Sequence, residues 1–281
     1  MSATVTHAPA PTATRHPRTR YRVTGIRVLR SEWTKLWSLR STWITLGLGL
    51  LFLVGFGVVA AVQYRSKAEA GQTAGTQWAD ATTLSLSLFG IDFAELALGV
   101  LGVLMVAGEY STGTIRSTLS AVPRRLPVLW SKVTVYGVVA LITGTAGAFA
   151  TFLIDHRLTA GTAAVQSITD AGVLRALVGA GLYLALVGVI GAALGATMRS
   201  VAGSVAVLIG VLLLLPSLVS LLPHDWQDPV SRYLPSNAGQ AMFALHHDTS
   251  TLSPAAGLLV LLGWTVLALA AGAYRLARTD A

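Results

Sequence analysis

The residues that could do chemistry narrow the field quickly. Gly108 and Gly113 stand at the spacing of a phosphate-cradling loop, but Thr114 and Ile115 occupy the places where a lysine and a hydroxyl must hold phosphate and magnesium. No Gly-Lys-Ser/Thr run occurs anywhere, so no nucleotide site of the P-loop kind is expected in the chain. With 0 cysteines there is no thiolate nucleophile, disulfide or cysteine-held metal. The histidines, His7, His16, His156, His224, His246 and His247, show no helical metal-ligand spacing and read as solvated loop residues. Two features remain. Asp92 and Glu95 are acids three apart inside an otherwise apolar run, with Gly99 and Gly102 continuing the same helical face. Glu109 and Tyr110 close that run, ahead of a helix-compatible stretch Ser111 to Ser120 and the basic turn Pro123, Arg124, Arg125.

The elements that must position these residues are membrane helices. Of 281 residues 53% are hydrophobic and 11% charged, with a mean hydropathy of +0.65, whereas soluble domains carry about 25% charged side chains. That excludes both an ordinary soluble enzyme and a disordered chain. A bilayer core about 30 Å thick needs roughly 20 apolar residues at 1.5 Å each. Six runs qualify: Thr42 to Val62, Leu88 to Ala107, Val133 to Leu153, Ala176 to Thr197, Val201 to Leu222 and Ala255 to Tyr274. The expected fold is an all-α integral membrane protein, a six-span bundle in which only Met198 to Ser200 separates spans four and five. Pro216 should kink span five or end its regular part. Residues 1–19 read as a disordered tail and not as a signal peptide, because residues 20–40 intervene before a full-length apolar run.

An even number of spans puts both termini on one side. Fifteen of the 20 Lys and Arg fall on the amino-terminal side, a positive-inside bias that places both termini in the cytosol. The loop acids Glu69, Asp80, Asp155, Asp170, Asp225, Asp228 and Asp248 lie on the other side. Residues 20–41 form an amphipathic segment with Ile26, Leu29, Trp33, Leu36 and Trp37 on one face and Arg27, Arg30 and Lys35 turned away. Two readings fit it: a helix lying in the lipid interface, or a plain basic anchor before span one. The net charge of +8 is thereby used at the membrane, and no nucleic-acid reader motif accompanies it. Asp92 and Glu95 likewise have two readings. They meet a cationic group in an outer vestibule, or they are a solvated helix start paired with Arg157 or Arg175.

Four stretches carry a resemblance: residues 31–43, SEWTKLWSLRSTW; residues 108–116, GEYSTGTIR; residues 122–125, VPRR; and residues 234–240, LPSNAGQ. Together they resemble the permease subunits of type-two ABC exporters, from Arg27 to the carboxyl terminus, with Glu-Tyr-x-x-Gly-x-x-Arg the most diagnostic. The resemblance implies a six-span permease domain over residues 42–281 in the cell membrane, a second permease copy, and two separate ATPase subunits. ATP and magnesium would be bound by those partners, with no cofactor in this chain. It makes residues 20–41 an elbow helix containing Trp33, Lys35, Trp37 and Arg40, and makes the loop after span two a coupling helix. Glu109 would pair with a basic residue of the ATPase, with Tyr110 beside it in the same motif. Gly113 would permit close approach, and Arg116, Pro123, Arg124 and Arg125 would complete the coupling surface. Asp92, Glu95 and Gly99 are the candidate substrate pathway. The competing reading, a secondary transporter, needs ionisable relays near the middle of the spans and often an inverted repeat; the sequence offers neither. An intramembrane enzyme would need a nucleophile with a base or metal inside the spans, and none is evident.

Overall fold

The computed structural model describes residues 25–114, 125–245 and 251–278. Six helices are long and apolar enough to cross a membrane: Arg40–Glu69, Thr83–Ser111, Leu126–Leu158, Val173–Met198, Val201–Val219 and Pro254–Arg278, spans one to six. Among the described residues there is no strand. The six apolar runs and the all-α architecture are as expected, but four of the helices extend past their apolar stretches by a turn or more. The backbone gains a hydrogen bond per residue by continuing, so the polar flanks stay helical. As a consequence Asp155 and His156, read as loop residues, lie inside the span-three helix.

Span four is the central post. Buried residues fill 72% of its apolar window, against 17% for span five and 28% for span six, so the latter two present most of their surface outward. Lipid gives helices no hydrophobic reason to associate, and contact must come from close packing. Spans two and four achieve it backbone to backbone: a Cβ at Gly102 would lie 2.1 Å from the Gly188 carbonyl oxygen, and one at Gly191 would lie 2.2 Å from that of Gly99. Tyr136 of span three fills the next layer, its ring against Gly188 and its hydroxyl donating to the Leu98 carbonyl oxygen. Gly99 is a packing contact between spans two, four and five, since a Cβ there would strike Leu208 at 2.7 Å and Val187 at 3.4 Å.

Two spans are interrupted. Span two consists of a short helix Thr83–Ser87, capped by a reciprocal Thr82–Ser85 box, and a long helix Ile91–Ser111. The break falls where Gly90 lies against the backbone of Phe52 and Leu53 in span one. In span five the helix Val201–Ile209 widens to a π-helical stretch Gly210–Leu214 before Leu215–Val219. Pro216 supplies no N–H to the turn before it, and the backbone loosens there instead of stopping. Past span five, the helices His224–Ser231 and Pro235–Ala241 cover the end of the bundle. The second, expected from the sequence over Asn237 to Ala244, starts two residues earlier and ends three residues sooner, with Pro235 at its first helical position. It seats Gly239 on the Tyr183 ring and Ala238 on Gly257 of span six.

Gly102→Ala should separate spans two and four and cost about 1–3 kcal/mol of stability. Thermal unfolding in detergent should show a lowered midpoint for it and none for Gly47→Ala, since nothing lies within 4 Å of a Cβ at Gly47.

Candidate functional site

The elbow helix Gly25–Ser38 stops at Leu39, whose extended backbone turns the chain into span one at Arg40. This corner is held by aromatic rings: Trp33 lies 5.4 Å from Trp37 and Trp37 lies 4.4 Å from Trp43, centroid to centroid, while the Trp43 indole donates to the Trp37 carbonyl oxygen at 3.1 Å. The exposed face carries Ile26, Leu29 and Trp33, as suits a helix lying on lipid. Arg40 is exposed at the start of span one. The inward face corrects the sequence reading. It is the row Val28, Glu32, Leu36, and its middle member is an acid that is only 1% exposed.

Glu32 is paid back by charge. Lys132, at the start of span three and 4% exposed, donates to Glu32 Oε2 at 2.7 Å and to Glu109 Oε1 at 2.7 Å. Lys35 closes the ring, 3.0 Å from Glu32 Oε1 and 3.2 Å from Glu109 Oε1. Two acids and two ammonium groups thus join the elbow, the end of span two and the start of span three. Burial alone would lower the pKa of Lys35, but the charges of Glu32 and Glu109 and their hydrogen bonds outweigh it and hold the ammonium above its ordinary 10.5.

Glu109, expected to face a partner's basic residue, has one oxygen engaged within the chain by Lys35 and Lys132. Beside it, the Tyr110 ring lies under the Arg199 guanidinium at 5.2 Å. Arg199 forms the turn between spans four and five in a left-handed conformation, φ +56°. Gly113 follows span two with φ +73°, a conformation that favours glycine just past a helix end. The Gly-Glu-Tyr-x-x-Gly stretch therefore gathers five elements at the basic end of the bundle: elbow, spans two and three, and the span four–five hairpin. Residues 115–124, with Arg116, Pro123, Arg124 and most of the expected helix Ser111 to Ser120, lie outside the described residues. Arg125 opens the span-three helix.

Glu32 and Lys132 were missed as partners because each had a sufficient explanation alone, one as part of a polar elbow and the other as a positive-inside cation. The available signal was that Glu32 is the sole acid before Glu69 and lies four residues from apolar neighbours on either side.

At the opposite end Asp92 and Glu95 part company. Asp92 is exposed, its Oδ1 accepting from the Gln240 amide at 3.5 Å, whereas Glu95 is 1% exposed and receives the Tyr183 hydroxyl of span four. Neither is paired with Arg175, whose guanidinium donates to the carbonyl oxygens of Met242 and Ala244, each at 2.8 Å. Counted from Thr83, Glu95 is the thirteenth of the 29 residues of span two. Asp155 is a further acid within a span, fully buried near Gly57.

The family described as ABC-2 family transporter protein matches residues 27–281. The chain belongs to this family. It is a multi-pass ABC permease, a membrane component of a transporter, and membership implies an ABC ATPase as partner. No curated protein matches the chain.

Breaking the charged ring on one side should be far worse than removing a pair. Lys132→Met leaves Glu32 buried without its closest cation and should cost about 3–5 kcal/mol, with Glu32→Gln/Lys132→Met recovering much of it; thermal unfolding of the three proteins measures the coupling. Because the pKa of Lys35 is raised on folding, its stabilising contribution is complete below 10.5 and fades as pH rises through the folded value. Lys35→Gln should accordingly be less stable than the parent at pH 8, with the gap narrowing above pH about 10.5.

Proposed function

We propose that this permease is the membrane half of an ATP-driven exporter, with both termini in the cytosol and the elbow lying on the inner leaflet of the cell membrane. Two permease copies would stand on two ATPase subunits, which bind ATP and magnesium. The observation that supports this best is the charged and aromatic knot at Glu109 and Tyr110. A segment that a partner could push, residues 111–124, leaves from a point rigidly joined to the elbow, spans two and three, and the span four–five turn. Force that arrives at that point passes directly to the elbow, to spans two and three, and to the span four–five turn. Closure of the ATPases on ATP would move these elements together and open a path between the two copies toward the outside. Large outward-facing areas on spans five and six leave room for a second copy and for lipid.

On this reading Arg116, Arg124 and Arg125 face the ATPase, while Glu109 acts from behind, holding the base of the loop. Arg116→Ala with Arg124→Ala should weaken ATPase association about tenfold or more while leaving unfolding of the isolated chain unchanged. Co-purification and permease-stimulated ATP hydrolysis measure this. Retention of full association, or transport by the chain without any ATPase, defeats the reading. Orientation has an independent test, because 0 native cysteines give a clean background: in intact cells an impermeant maleimide should label Gln72→Cys and leave Thr112→Cys unlabelled.

A further inference from the structure

At the end opposite the elbow a cavity of about 580 Å³ opens between the start of span two and the segment that follows helix Pro235–Ala241. That volume lies in the ~300–1,000 Å³ range of small-molecule sites. Its wall combines two kinds of group. Asp80 and Asp92 supply carboxylates, and Phe89, Phe93 and Phe243 supply aromatic surface; among the described residues no Lys, Arg or His lines it. Phe89 and Phe93 are 54% and 45% exposed, large apolar surfaces left open.

The wall is built rather than incidental. Phe93 is stacked on Phe56 of span one at 4.5 Å, with Phe52 6.0 Å away. The far wall is fixed by Arg175, whose two hydrogen bonds to Met242 and Ala244 flank Phe243, and by the Phe243 contact with the Tyr183 ring at 5.8 Å. Since that guanidinium is engaged on backbone carbonyls, it does not neutralise the cavity acids. Gln240 reaches Asp92 only at 3.5 Å, the outer limit of a hydrogen bond.

We propose that this cavity binds an amphiphilic organic cation, an onium centre carried on an apolar body. A hard metal ion demands six or more oxygen ligands around one point, which two carboxylates among phenylalanines do not provide. An anion would meet two like charges, and a neutral apolar molecule would leave both carboxylates without compensation. A cation with low hydration gains from both wall components, through charge pairing and through the aromatic faces. Such chemistry belongs equally to a transported compound and to a choline-type lipid headgroup. The function of the cavity in export rests on the exporter reading above; the binding itself does not.

The full chain purified in detergent is titrated with radiolabelled tetraphenylphosphonium and with tetraphenylborate, which has the same shape and the opposite charge. Saturable phosphonium binding at least about tenfold tighter than borate binding is expected, falling about tenfold in Asp80→Asn/Asp92→Asn and unchanged in Glu69→Gln. Phe243→Ala should weaken the phosphonium as well, and monodisperse elution checks that each variant is folded. Equal binding of the two ions, or phosphonium binding indifferent to loss of both carboxylates, overturns the proposal. Two further arms separate the sources. Displacement by excess phosphatidylcholine without effect on ATP hydrolysis in the assembled complex identifies a lipid site, and stimulation of hydrolysis by the phosphonium identifies a substrate site. Because binding is read on the chain alone, its failure leaves the exporter reading standing, and lost ATPase association leaves the cavity result standing.

Discussion

Lipid is as apolar as leucine, so a helix in a bilayer gains nothing from hiding a leucine against its neighbour. What remains is contact at a distance short enough for dispersion and backbone dipoles to matter, and this chain obtains it by leaving side chains out. Gly99 with Gly191 and Gly102 with Gly188 bring spans two and four together along their backbones. With those two spans in contact, Tyr136 has a slot to fill, and its hydroxyl reaches the Leu98 carbonyl oxygen. Spans five and six then attach around the post without enclosing it. The bundle is dense around span four and open at spans five and six.

Charge does at the basic end what small residues do in the middle. Four ionised groups share one site between the elbow and the ends of spans two and three. Out of water such groups are stabilised only by one another and only at good geometry. That makes the joint selective in a way an apolar contact is not: sliding any of the three elements by a turn strands a buried charge. The elbow is thereby joined to the bundle at the end of span two and the start of span three.

How much of this the sequence disclosed depended on whether a feature is local. The six spans were legible because each is written in one continuous apolar run, and the family was legible in short motifs such as residues 108–116. Pro216 announced an irregularity correctly, since the missing N–H is a property of one residue. The interruption at Gly90 was not legible, because it arises from the approach of Phe52, nearly forty residues away. Asp92 and Glu95 were assigned one face by their spacing, yet residues three apart are separated by about 60° around a helix. That is enough for one to line a cavity while the other turns into the core. The pairing of Glu32 with Lys132 was hidden for the same reason as the break, being a relation between distant segments, and the two charges sat among many others.

Glu32 and Lys132 are separated by 100 positions in the chain. At a synthesis rate of about 5–20 residues per second, the acid emerges roughly 5–20 s before its closest cation. During that interval spans one and two are made, and of the two cations that hold Glu32 only Lys35, three residues away, is present. The elbow thus reaches its final seat only after the start of span three has been delivered. The joint between elbow and bundle is therefore tied to the arrival of span three, and it cannot close while only the first two spans have been made.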